Sequence, residues 1–152
     1  MDKDLVLISC PVVYRQGSRK GFWFIVKSED GEGWEIPKMV ARKGESSVRA
    51  SIRMMGEMAN MDAKVIEEAG RAGGMMTVNG KAVSKRTIYY AMIQRTGGEI
   101  IGFEEYKWLD YAKAVRKLSS KRERAMIKNA RAEIDRWLKE NKGKIGDDLE
   151  PL

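Results

Sequence analysis

Residues 33–61 read Gly33-Trp34-Glu35-Ile36-Pro37-Lys38-Met39-Val40-Ala41-Arg42-Lys43-Gly44-Glu45-Ser46-Ser47-Val48-Arg49-Ala50-Ser51-Ile52-Arg53-Met54-Met55-Gly56-Glu57-Met58-Ala59-Asn60-Met61. The stretch opens as a short strand, Trp34-Glu35-Ile36, which Pro37 stops because proline has no amide to give a ladder. A charged loop carrying Lys38, Arg42 and Lys43 follows. From Ser46 the spacing turns helical and predicts a helix over 46–61 with Val48, Ile52, Met55 and Ala59 on one face. Asn60 suits the left-handed conformation that ends a helix. Positions 54, 57 and 58 are neighbours on that helix, because residues three and four apart share a face.

Outward from this segment, Leu5 to Tyr14 and Phe22 to Val26 read as strands, separated by the polar turn Arg15 to Lys20. After the helix, Lys64-Val65-Ile66 and Met75 to Val78 resume strand character, with Glu67-Glu68-Ala69-Gly70 between them read as strand followed by turn. Thr87 to Gln94 is the clearest strand in the chain, and Glu99 to Trp108 reads as another. Asp110 caps a helix over 111–118. Ser120 and Glu123 have capping-box spacing ahead of a helix with the apolar stripe Ile127, Ala130, Ile134, Trp137 and Leu138. Strands, helix, strands and then helices predict an α/β fold, a mixed sheet between helical layers. One domain over 1–142 and a polar tail over 143–152 are expected.

At 152 residues, 43% apolar and 34% charged, the chain reads as soluble and globular. It has no apolar run of membrane-spanning length and no signal-peptide pattern at its start, so a membrane partner is not expected. A lone cysteine, Cys10, points to a reducing cytoplasm. The absence of histidine excludes serine–histidine and cysteine–histidine nucleophile schemes. It leaves oxygen donors, which favour hard cations such as Mg²⁺ over Zn²⁺. A formal charge of +7 suggests an anionic partner: a nucleotide, a nucleic acid or an acidic protein.

The 33–61 segment resembles the Nudix box, whose pattern is Gly, five residues, Glu, seven residues, then Arg-Glu-apolar-any-Glu-Glu-any-Gly-apolar. Glu45, Arg53, Met55, Glu57 and Met61 fit, whereas Met39, Met54, Met58 and Asn60 depart from it. Trp34 and Pro37-Lys38 ahead of the box are typical of the family, as is Lys64-Val65-Ile66 after it. So is Glu104-Glu105-Tyr106-Lys107-Trp108 followed by a helix. The likeness covers nearly the whole chain and is closest in flavour to the diadenosine polyphosphate hydrolases.

The resemblance implies a Nudix-type α/β/α sandwich, a Mg²⁺ (or Mn²⁺) cofactor and a nucleotide or dinucleoside polyphosphate as ligand. It implies Glu57 as surviving metal ligand oriented by Arg53, with the Met39 carbonyl and Glu45 beside the metal and Glu104 or Glu105 assisting. Lys38 and Arg42 are then candidates to grip phosphates, and Tyr89 or Tyr90 to stack on a base. Adjacent strand residues point to opposite faces, so at most one of the two tyrosines faces a pocket. The family uses three glutamates where this chain has Met54, Glu57 and Met58. Methionine thioether is a soft, weak ligand that does not replace carboxylate for Mg²⁺. Loss of a metal ligand or catalytic base typically costs about 10²–10⁴-fold in rate, so weak or lost hydrolysis is expected.

Plainer roles stand beside these. Glu45 can serve the helix N-terminus through its dipole, and Arg53 with Glu57 is an ordinary i, i+4 ion pair. Lys38, Arg42 and Lys43 read equally well as solvated loop charges. The methionines are core filler or a contact surface. The lysines and arginines from Lys121 to Lys144 carry no interleaved aromatics and read first as a solvated helix face. The alternative function is a non-catalytic Nudix-fold module that binds RNA, the ribosome or a protein partner through its basic surface.

Overall fold

The structure is a computed structural model that describes residues 5–141; the expected tail over 143–152 lies outside the described residues. In chain order the elements are β1 (Val6–Gln16), β2 (Gly21–Lys27), β3 (Trp34–Glu35), β4 (Met39–Val40), α1 (Ser47–Ala59), β5 (Met61–Val78), β6 (Lys81–Gly97), β7 (Tyr106–Leu109), α2 (Tyr111–Lys117) and α3 (Lys121–Glu140). The strands form one mixed sheet in the order β3-β2-β1-β6-β5, with β4 paired to β1 and β7 to β2. β1 and β6 run parallel from Val6↔Lys85 to Tyr14↔Ile93, and the other pairings are antiparallel.

Strand alternation splits the core in two. Cys10, Val12, Tyr89, Ala91 and Ile93 face α2 and α3, where they meet Ala114, Leu118, Ile127, Ala130 and Ile134. Val13, Ile88, Tyr90 and Met92 face the other way and pack under Met54, Met55 and Ala59 of α1. The result is an α/β/α sandwich, as the order of elements predicts. No helix among the described residues is long and apolar enough to cross a membrane.

A wedge in the sheet positions the 33–61 segment. β1 and β2 pair only from Tyr14↔Trp23 to Gln16↔Gly21 and then diverge. β6 occupies one edge of β1, so β4, paired at Ile8↔Val40 and Ser9↔Met39, takes the edge that β2 has left. Val26 pairs with both Tyr106 and Glu35, so β3 lines the facing edge of β2. Residues 34–40 thus bridge the gap between the diverging strands, with Pro37 and Lys38 at the crossing.

Three expectations are corrected. Val48 and Ile52 of α1 are 36% and 42% exposed; the buried face is instead Ser47, Ala50, Ser51, Met54, Met55 and Ala59. Small side chains let the helix lie close on β1, where Ser9 Oγ donates to the Ser47 carbonyl and bonds Ser51 Oγ. Glu67–Gly70 is not a turn: β5 continues through it, with register shifts at 62/63, 65/67 and 68/70. The reversal comes later, at Asn79-Gly80, both with positive φ, as a two-residue hairpin requires. Finally, only Tyr106–Leu109 of the 99–108 segment is strand. The residues before it cross the end of α1, where the Gly102 amide donates to the Met58 carbonyl at 2.7 Å.

The helix ends follow the sequence more closely. Ser46 accepts the Arg49 amide, and Asn60 takes φ 49°, ψ 44° at the C-cap of α1. Asp110 accepts the Lys113 amide at 3.0 Å and Ser120 the Glu123 amide at 3.2 Å.

Candidate functional site

Lys38 sits at the wedge, and its ammonium is fully engaged. Nζ donates to the Ile36 carbonyl at 3.1 Å and to Glu123 Oε2 at 3.0 Å, and lies 3.6 Å from Glu35 Oε1. Glu123 is 3% exposed and also accepts the Ile36 amide at 2.8 Å and the Tyr89 hydroxyl at 2.8 Å. A buried carboxylate requires such partners. Its side chain has therefore left the capping role its spacing suggested and clamps the start of α3 to the bridging segment.

This clamp sets the titration of its neighbours. Burial pulls the Lys38 ammonium down, but the charge and hydrogen bond of Glu123 outweigh it, so the net direction is up. Burial raises the Tyr89 hydroxyl, and the Glu123 charge raises it further. Burial also raises Glu35, against the pull of Lys38. Cys10 is pushed up to about 12, by burial first, with Lys38 opposing; it is not a thiolate nucleophile at neutral pH.

Two clefts adjoin Lys38. The first, of about 500 Å³, lies between β6 and the start of α3 and is lined by Trp34, Lys85, Thr87, Tyr89 and Arg122 among others. The second, of about 660 Å³, lies between the end of β2 and α1 and is lined by Met54, Met58, Phe103, Glu104 and Glu105 among others. Both share Ser28, Asp30, Glu35 and Lys38. The second cleft holds Glu29, Asp30, Glu35, Glu104 and Glu105 against Lys27 and Lys38, a surplus of negative charge.

The remaining box residues form a network outside both clefts. Arg53 grips Glu45 through Nε–Oε2 at 2.7 Å and Nη2–Oε1 at 2.8 Å. It also reaches Glu57 Oε2 at 3.4 Å. Glu45 Oε1 accepts the Arg42 amide at 2.9 Å, and the Arg42 guanidinium lies 3.6 Å from Glu57. The Arg53 hydrogen bonds and the Arg42 amide hold the Glu45 carboxyl at about 2. Glu57 is 51% exposed at its side chain and lines neither cleft. Met39 is in β4 and packs against the core beneath α1.

The donor set does not fit a hard divalent cation. Met54 and Met58 border the second cleft where the helix meets it, and Met54 is 2% exposed, largely absorbed into the core. Among the described residues no three Asp, Glu or Cys side chains converge to hold a metal ion. Mg²⁺ asks for oxygen donors in near-octahedral array, which Glu104 and Glu105 facing two methionines do not supply.

The two candidate tyrosines point to opposite faces, as alternation requires. Tyr89 reaches the first cleft, whereas the Tyr90 hydroxyl is buried under α1 against Ser47 Oγ at 2.6 Å. Sequence reasoning missed Glu123, Trp34, Lys85 and Arg122. The only signal for Glu123 was its place three residues after Ser120, which a cap already explained.

No family model and no curated protein matches the sequence. Solved structures do match. The chain is 18% identical to the Ap4A hydrolase of C. elegans, with TM-score 0.63 over 86% of this chain and 98% of that one. It is 16% identical to the NUDIX domain of Shewanella oneidensis NrtR, solved with ADP ribose, with TM-score 0.66 over 87% and 90%. It is 13% identical to the E. coli dihydroneopterin triphosphate pyrophosphohydrolase, with TM-score 0.63 over 88% and 97%. At these identities the likeness is one of fold, and the fold is the Nudix fold.

Proposed function

We propose that this chain, a Nudix-type protein by its fold, binds a nucleoside-diphosphate-linked ligand without hydrolysing it. The metal-dependent pyrophosphohydrolase chemistry has been lost. The observation that carries this reading is Met54 and Met58 at the positions where α1 meets the second cleft. A hard cation there has no carboxylate pair to hold it, and the likeness to Ap4A hydrolase and to an ADP-ribose complex supports the ligand class alone.

The smaller surplus of negative charge favours the first cleft for the phosphates. Without a cation, the carboxylate surplus of the second cleft repels a diphosphate. In the first the balance is nearer to even, with Asp30, Glu32, Glu35 and Glu123 against Lys38, Lys85 and Arg122, and Glu35 and Glu123 are paired with Lys38. Trp34 offers an aromatic face there, and the volume suits a nucleotide-sized ligand. Arg42, Glu45, Arg53 and Glu57 serve to hold the loop against the helix. A reducing cytoplasm suits the buried free thiol of Cys10.

Calorimetric titration with ADP-ribose and diadenosine tetraphosphate tests this. Binding of the same strength in EDTA and in Mg²⁺ or Mn²⁺, with no product released, is expected. Failure to bind either compound, or metal-dependent turnover, overturns it. A second reading, a macromolecular contact, is favoured by one observation: residues 69–98 contain Arg71, Lys81, Lys85, Arg86 and Arg95 and no Asp or Glu, although Arg71 pairs with Glu68 and Arg95 with Asp62.

A further inference from the structure

β5 is the last strand in the sheet, so among the described residues no strand lies beside its outer edge. Along such an edge every second residue turns its amide and carbonyl outward, where another chain can pair with them. Only half of this edge is protected. From Met61 to Arg71 it has three register shifts and the charges of Asp62, Lys64, Glu67, Glu68 and Arg71, which discourage pairing. There α3 also takes up the Ala69 carbonyl, through the Asn129 side-chain amide at 2.9 Å.

Residues 72–78 differ in kind. They read Ala-Gly-Gly-Met-Met-Thr-Val, with no charge and no proline. They pair with β6 in unbroken register from Ala72↔Thr87 to Val78↔Lys81. β1 meets β6 first at Val6↔Lys85, so beyond Gly74 the two strands form a ribbon that is marginal by itself in water. Met75 is 62% exposed there and Val78 39%.

We infer that this edge pairs antiparallel with the same edge of a second copy of the chain, about a two-fold axis at Met75. The sequence fits itself in that register. Ala72 then faces Val78, Gly73 faces Thr77 and Gly74 faces Met76, so each larger side chain stands opposite a small one. Only Met75 meets its own copy, and methionine is flexible enough to settle there. Arg71 falls opposite Asn79, and no like charges oppose one another across the axis. Alternation puts Met75 on one face of the strand and Met76 and Val78 on the other, so apolar surface is covered on both.

The register is bounded at each end. A shift inward meets Arg71 and then the irregularity at 68/70, and a shift outward runs off the strand at the Asn79-Gly80 reversal. Two marginal ribbons become one four-stranded sheet, which satisfies the need for three or more strands. An isologous contact of this kind closes at two copies. It does not depend on the ligand of either cleft.

Sedimentation equilibrium of the native chain is the first test. Its mass should rise from that of one chain toward that of two as concentration goes from about 1 µM to about 1 mM, the range of weak pairings. Met75→Lys and Met75→Glu each set like charges against each other on the axis, and each alone should keep the monomer mass. Because Met75 is exposed, both variants should melt within a few degrees of the native chain. An equimolar mixture of the two sets opposite charges there and should regain the doubled mass, less so at high salt. Hydrogen exchange reads the contact without any substitution: the amides of 72–78 should exchange more slowly at the higher concentration. The inference is overturned if the native chain keeps the monomer mass throughout, if either variant doubles alone, or if the mixture does not double. Exchange at 72–78 that ignores concentration overturns it equally.

Discussion

The Arg53 guanidinium and the Glu45 carboxylate face each other in a two-point hydrogen bond across eight residues of loop and helix. Arginine's planar fork matches a carboxylate in this way and lysine does not. The pair closes the loop 41–46 onto α1 before any ligand is considered.

Stability should therefore depend on acid in a stated window. The Glu45 carboxyl falls from its usual 4.5 to about 2 in the fold, chiefly through Arg53. Its contribution is fully present above about 4.5 and is lost as pH drops through about 2. The melting temperature of the native chain should fall more steeply over that range than that of Glu45→Gln. Parallel curves for the two proteins would show the pair to be uncoupled from folding.

Glu123 is the most consequential single side chain in the site. Removing it leaves the Ile36 amide and the Tyr89 hydroxyl without an acceptor and the Lys38 ammonium without its nearest carboxylate. Breaking one partner of a buried ion pair costs roughly 3–5 kcal/mol, so Glu123→Ala should lower stability by about that much in urea titration. The native Cys10 should resist iodoacetamide at pH 8, since burial pushes its thiol up to about 12, and the Glu123→Ala chain should label faster. Equal labelling in both would remove the clamp from the argument.

Gly102 is constrained by approach, not by conformation. A β-carbon there would lie 2.6 Å from Met58 Cα and 2.7 Å from its carbonyl oxygen, and backbone cannot step aside as a flexible side chain can. Gly102→Ala should cost about 1–3 kcal/mol, the range for overpacking. An alanine variant with unchanged thermal stability would mean that the 98–103 loop packs elsewhere.

How much of this was legible before the structure depends on the range of the interaction. Thr87 to Gln94 reads as strand because its apolar run is continuous, and Ser46, Asn60 and Asp110 read as caps because capping is local chemistry. Val48 and Ile52 misled because helical spacing records a face without saying which face is covered; the serines and Ala50 under α1 carry no apolar signal. The Asn79-Gly80 reversal was a local signal, yet Glu67–Gly70 drew the turn reading because bulged strand tolerates glycine and charge. Lys38 and Glu123 are separated by 85 residues, and nothing local connects them. The two clefts exist only once β1 and β2 diverge.

The proposed loss of hydrolysis turns on where Met54 and Met58 sit. Both border the second cleft, but Met54 is 2% exposed and packs with Phe24, Val26 and Met92, whereas Met58 lies at the margin of that core. An ionised carboxylate at 54 without a counter-charge would cost several kcal/mol, so Met54→Glu should melt well below the native chain. Met58→Glu, beside Glu104 and Glu105, should fold with a smaller loss. In Met54→Glu/Met58→Glu the added acids repel one another until a cation joins them, so Mg²⁺ should raise the melting temperature of the double variant and leave that of the native chain unchanged. Were Mg²⁺ to stabilise the native chain as much as the double variant, the methionines would not be what separates this protein from a metal-dependent hydrolase.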